Sequence, residues 1–204
     1  MMKSVLIAIR PQWIEKIASG QKTIEVRKTA PKEVPFKAYI YCCKAKPYLY
    51  KEANPPFELF LDSELYKGKG YDDRLFSGKV IGEFLCDRVE RLEEHIEQGG
   101  LYYILSDTFN EQAQLDNWEL HDYGKGKILY GWHISELKIY DRPKELSEFK
   151  KTKKLIARTC GMQARNGLCC AIDHEELCDN IKCCFKTPCP PQSWQYVEDL
   201  GEEK

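Results

Sequence analysis

The sequence predicts an α+β fold: a small, curled or closed mixed β-sheet with few and short helices, followed by a cysteine-rich C-terminal extension. Three observations carry this. Short runs of β-forming residues recur along the first 145 positions with turn residues between them. Helical periodicity is confined to short stretches, so the regular strand–helix alternation of a doubly wound sheet is missing. Seven of the ten cysteines crowd into residues 160–189. With 204 residues, 43% hydrophobic and 31% charged, the chain has material for a core and is not disordered.

The first element, Ser4 to Ile9, is mostly a continuous apolar run and reads as a buried strand. Pro11 suits the first turn of a helix, Trp13, Ile14 and Ile17 recur at helical spacing, and Gly20 stands where a helix ends. A short helix over 11–18 is expected. Thr23 to Arg27 alternates with period two, a strand signature, and Ala30-Pro31 breaks it. Phe36 to Cys43 is rich in aromatics and β-formers and reads as a second buried strand. Residues 44–78, with three prolines and three glycines, read as an irregular insertion holding one short helix or hairpin. Lys79 to Val89 resumes as a strand. A polar helix is expected near 107–117, with Ser106 as its cap. Gly124 and Gly126 mark a turn, and Lys127 to Tyr140 is a strand interrupted near Gly131 or Ser135-Glu136. The expected division is residues 1–145 as the folded domain and 146–204 as a basic linker helix plus a cysteine-rich tail.

The formal net charge of −1 conceals blocks. Residues 1–50 carry an excess of seven positive charges, 51–140 eight negative, 141–170 five positive and 171–204 five negative. The positive blocks, including Lys150, Lys151, Lys153, Lys154 and Arg158, suit either attraction of a polyanion or a solvated surface. No apolar run approaches the roughly 18 residues of a membrane-spanning helix. The N-terminus, with five consecutive apolar residues, is a poor signal peptide, so a cytoplasmic protein without membrane association is expected.

Gly20-Gln21-Lys22-Thr23-Ile24-Glu25-Val26-Arg27 is the densest cluster of chemistry in the chain. On the expected strand, Thr23, Glu25 and Arg27 share one face and Ile24 and Val26 the other. If the apolar face goes inward, a carboxylate and a guanidinium stand on an accessible face with Lys22 at its mouth. The Arg27 fork suits a phosphate or a base edge, and Glu25 either holds that fork or accepts from an exocyclic amine. The bland counterpart is a surface salt-bridge ladder.

Gly-x-Lys-x-x-Glu-x-Arg after a strand and a short helix resembles the signature of the ASCH domain family, whose fold is a PUA-like β-barrel. Trp132-His133-Ile134-x-x-Leu137-x-Ile139-Tyr140-Asp141-x-Pro143 resembles the last barrel strand of prophage-type members, and Pro190-Pro191-Gln192-Ser193-Trp194-x-Tyr196-Val197 resembles their tail. The resemblance implies a small barrel with a cleft for RNA or a modified nucleotide, built around Lys22, Glu25 and Arg27. In the amidohydrolase branch of the family, Lys, Thr and a separate Glu carry the reaction. Lys22 is retained here, but Glu25 replaces the expected Thr, so that activity is not carried over. The remaining groups suit recognition, or phosphodiester cleavage by charge stabilisation.

His133, in the resembling strand, is a candidate general base or a packed, hydrogen-bonded residue. Tyr39, Tyr41 and Trp132 are candidate stacking faces for a base, with core packing as the alternative. Cys42, Cys43 and Cys86 read as buried free thiols. The tail segment is too short for a core of its own and needs a staple. Structural zinc held by Cys160, Cys169, Cys178 and Cys183 is one solution, with Cys170, Cys184, Cys189 and His174 as alternates. Disulfides and free thiols are the others. Three functions stay open at this stage: an RNA- or nucleotide-binding module of phage or prophage origin, a ribonuclease or modified-nucleoside hydrolase using Lys22, Glu25 and His133, and a zinc-stapled protein-interaction adaptor.

Overall fold

The computed structural model of the chain describes residues 2–52, 58–63, 74–97, 100–103, 105–106, 108–151 and 190–201. The elements, in order, are β1 (Lys3–Ile9), α1 (Pro11–Ala18), β2 (Ile24–Arg27), β3 (Phe36–Cys42), β4 (Tyr48–Lys51), β5 (Leu59–Asp62), β6 (Val80–Cys86), β7 (Val89–Leu92), β8 (Glu94–Glu97), β9 (Gly100–Tyr103), α2 (Phe109–Ala113), α3 (Asn117–Gly124), β10 (Leu129–His133), β11 (Ser135–Lys144) and β12 (Trp194–Val197). Many strands and few, short helices make this a mixed α+β fold.

The main sheet has the order β11-β6-β3-β1-β12. β1 runs parallel to β3 and antiparallel to β12. A second sheet has the order β2-β10-β7, and β4–β5 and β8–β9 form two-stranded pairs. The two larger sheets are separate hydrogen-bonded ladders, so the curled alternative among the sequence expectations describes them and full closure does not.

β1 is buried on both faces, which explains its unbroken apolar run. Val5, Ile7 and Ile9 join one core cluster with Ile14, Ile17, Phe36 and Trp132, while Leu6 and Ala8 join another with Tyr39, Tyr41 and Phe149. α1 starts at Pro11, its N–H not needed there, and buries Ile14 and Ile17 one turn apart. Gly20, at φ +76, carries the chain out of the helix toward β2. α2 rests on the second sheet because Gly131 leaves room for it: a Cβ there would stand 2.7 Å from the Phe109 ring.

The expected polar helix and its cap differ in the structure. The polar helix near 107–117 is two helices, α2 and α3. Gln114 at φ 53 ends the first, and Asp116 caps the second in a reciprocal box with Glu119; Thr108, not Ser106, stands at the N-cap of α2. The insertion at 44–78 contains the antiparallel pair β4–β5. The division after residue 145 is crossed by the main sheet. β12 covers the outer edge of β1, Leu146–Glu148 form a 3-10 turn, and Phe149 packs edge-on against Tyr39 with 5.0 Å between ring centroids; the rest of the expected linker helix, from residue 152, lies outside the described residues. Tyr39 and Tyr41 are core residues. Among the described residues, no helix is long and apolar enough to cross a membrane.

Candidate functional site

The loop from α1 and the strand β2 bring Lys22, Glu25 and Arg27 to one cavity of about 570 Å³. The cavity is also lined by Arg10 and Trp13 at the start of α1, Cys43 after β3, Leu115, then Glu119, Asp122 and Tyr123 of α3, and Gln192 and Ser193 before β12. Five separate stretches of chain therefore meet there. The second sheet supplies its floor through β2, and α3 supplies the facing wall.

The charged face of β2 is not the accessible surface that alternation suggested. All four β2 residues are buried, and Lys22, Glu25 and Arg27 are only 2%, 6% and 8% exposed. Both faces of the strand are covered, the apolar one by α2 and the polar one by the walls of the cavity. Buried charges persist only when paired, and these are. Glu25 is ion-paired on both sides: its Oε1 lies 3.0 Å from an Arg27 nitrogen and its Oε2 lies 3.6 Å from Lys22 Nζ. Lys22 Nζ also donates to the Ala113 carbonyl at 2.5 Å and sits 5.1 Å from the centre of the Trp13 ring. The Ala113 carbonyl belongs to the last turn of α2, where no intrahelical donor remains. Arg27 donates to the Ala8 carbonyl at 2.6 Å and so ties the second sheet to the main one.

Desolvation pulls Lys22 below the ordinary lysine value, and the Glu25 carboxylate opposes that pull. Its ammonium is nonetheless held between a carbonyl, a carboxylate and an aromatic ring. Lys22 is thus an anchor in this geometry, not a free ammonium. Burial raises the Tyr123 phenol, which stays protonated beside Arg27 and Glu25, and the Lys28 ammonium stands 4.9 Å from the centre of its ring. Burial likewise raises the Cys43 thiol, against the pull of Arg27 and Arg10. Two features of the cavity are not internally satisfied. The Arg27 Nε–H is buried without a hydrogen-bond partner. Arg10 and Asp122 reach the rim as exposed, opposite charges.

The other expected site residues lie elsewhere. Trp132 is fully buried, packed edge-on against Phe36 and against Trp194, so it belongs to the core and offers no face to a base. His133 does not line the cavity. Arg88 stands 3.1 Å from its Nδ1, which leaves the Nε2–H to donate to Glu90 at 2.6 Å. Both ring nitrogens of His133 thus meet partners within the protein. The tail residues Cys160, Cys169, Cys170, Cys178, Cys183, Cys184, Cys189 and His174 lie outside the described residues.

Sequence reasoning missed Arg10, Trp13, Asp122 and Tyr123 as cavity residues. Trp13 carries a helical-period signal, which places it on α1 without saying what it faces. Asp122 and Tyr123 follow a capping-box pattern, Asp116-x-x-Glu119, that marks the start of their helix in the sequence.

No family model matches the chain. No curated protein matches it either. Among solved structures, the neighbours are ASCH domain proteins. The crystal structure of ASCH from Zymomonas mobilis aligns at a TM-score of 0.47 and 15% identity, over 96% of this chain and 88% of that one. A Tyr-to-Phe mutant of the same protein aligns at 0.47 and 15%, over 96% and 91%. A Ser-to-Ala mutant aligns at 0.46 and 14%, over 96% and 89%.

Proposed function

We propose that the protein is an RNA- or nucleotide-binding module whose cavity holds a nucleobase. The observation that carries this reading is the convergence of Arg10, Arg27 and the aromatic residues Trp13 and Tyr123 on one hollow of about 570 Å³. That volume suits a single small ligand. The resemblance of the Gly20–Arg27 stretch to the ASCH signature points the same way.

Recognition is favoured over catalysis because Lys22 and Glu25 saturate one another and their neighbours. A proton carrier must be free to exchange its proton with substrate. Phosphates belong at the rim of the hollow, where Arg10 is exposed and Lys28 stands over the Tyr123 ring. Within it, Arg10, Lys22 and Arg27 are balanced by Glu25, Glu119 and Asp122. The structural zinc expected for the cysteine-rich tail is part of the same proposal, as a staple of that segment.

Fluorescence anisotropy of a labelled single-stranded RNA tests the reading. Binding is expected to weaken between 50 and 200 mM salt, with a slope of about −0.7 for each phosphate neutralised. Arg10→Ala removes an exposed cation and should lower affinity and flatten that slope. Binding that is absent, or that ignores both salt and Arg10, overturns the proposal.

A further inference from the structure

We propose that the outward face of α3 docks an arginine-bearing segment of a partner protein, with the guanidinium stacked on Trp118 and paired to Asp122. The proposal does not depend on the nucleobase reading. At about 100° per residue, the buried residues of α3, Leu120 and Gly124, point one way, and Trp118 and Asp122, one turn apart, point the other. Trp118 is 76% exposed. Five large hydrophobic residues are exposed among the described residues, and the two aromatic ones, Trp118 and Tyr123, both belong to α3. A lone exposed aliphatic is ordinary on a folded protein, whereas two exposed aromatics on one eight-residue helix have the composition of an interface. The indole is also held in place. His121 stacks on it, with 6.2 Å between ring centroids and 23° between planes, and His121 Nε2 in turn lies 3.3 Å from Glu94.

Charge selects the occupant. From Thr108 to Gly124 the chain carries Glu111, Asp116, Glu119 and Asp122 and no Lys or Arg. Asp116 and Glu119 are explained by the capping box. Asp122 is not. It is exposed, it makes no hydrogen bond or ion pair among the described residues, and it sits in the last turn of α3, where a carboxylate opposes the helix dipole. Such a face repels a phosphate backbone and attracts a cation. Residues one turn apart hold their Cβ atoms about 5–6 Å from one another, so one side chain can meet both the ring and the carboxylate. Arginine meets them best. Its planar guanidinium stacks on an indole and gives a carboxylate two parallel N–H bonds, and the ammonium of lysine does neither.

NMR titration of the full chain with acetylated hexa-arginine and hexa-lysine peptides, at about 150 mM salt, tests this. The Trp118 indole N–H, identified by its loss in Trp118→Ala, is expected to shift with hexa-arginine, which should bind about tenfold more tightly than hexa-lysine. Trp118→Ala and Asp122→Asn, both at exposed positions, should each lower the hexa-arginine affinity about tenfold, read from the backbone amides of α3. In the anisotropy assay, Trp118→Ala should bind RNA as the unaltered protein does. An indole signal that does not move, equal affinity for the two peptides, or hexa-arginine binding indifferent to both substitutions would overturn the proposal. So would single-stranded RNA that shifts the Trp118 indole and binds Trp118→Ala more weakly, since the face would then belong to nucleic acid.

Discussion

Trp132 stands directly opposite Glu25 in the ladder joining β10 to β2. Directly opposed residues project to the same side of a sheet, so a fully buried indole and a buried carboxylate are neighbours on one face. The carboxylate survives there because Lys22 and Arg27 flank it.

Glu25→Ala should therefore cost about 3–5 kcal/mol, since it strands two buried cations without their counter-charge. Urea denaturation should show a lower midpoint with an unchanged slope. A loss below about 1 kcal/mol would mean that the ion pairs contribute no more than exposed ones do.

Gly131→Ala should destabilise the second sheet. The new methyl would stand 2.7 Å from the Phe109 ring and 3.0 Å from an Ile24 methyl, so α2 must shift. Overpacking of this kind costs about 1–3 kcal/mol, and each kcal/mol lowers Tm by about 2–4 °C at this chain length. Because α2 carries the carbonyl that anchors Lys22, the substitution should also weaken RNA binding in the same anisotropy assay.

The segment after β12 is latched through Asp199, which accepts from the Tyr39 hydroxyl and lies 3.4 Å from Lys37 Nζ. Desolvation acts to raise the Asp199 carboxyl, but the Tyr39 hydrogen bond, Lys37 and the Gly201 N–H together bring it below the ordinary aspartate value. A folded-state value below the unfolded one contributes stability that is complete above about pH 4 and lost as pH falls further. Amide exchange in residues 194–199 should accelerate at pH 3 relative to pH 6 once intrinsic rates are removed. Asp199→Asn should abolish that difference.

Burial raises the thiols of Cys42 and Cys86 to about 12, so neither is a thiolate near neutrality. Iodoacetamide at pH 8 followed by peptide mapping should leave both unlabelled in the folded protein and label both in urea. The same map reads the proposed zinc staple. Cys160, Cys169, Cys178 and Cys183 should resist labelling until a chelator is added, and labelling indifferent to chelator rejects the metal.

The local elements were legible where one physical signal dominated. Pro11 and the Trp13–Ile14–Ile17 spacing give α1 its bounds at 11–18, and unbroken apolar runs mark β1 and β3. The cluster Lys22, Glu25 and Arg27 was visible as chemistry, but its burial was not. Alternation assigns two faces to a strand without saying what will cover each, and α3 lies far along the chain. β12 was hidden for a related reason: its four residues follow a cysteine-rich stretch whose composition dominates the tail, while its pairing partner stands near residue 5. Long-range pairing of this kind leaves no periodic trace in sequence.

The covering of β1 by β12 also sets an order of events during synthesis. β1 leaves the ribosome well before its outer neighbour, which is encoded nearly two hundred codons later. Until then, the nascent chain displays an unpaired apolar strand edge, the kind that recruits other polypeptides. Translation pausing or premature termination before residue 194 should therefore yield chains that depend on holdase chaperones for solubility.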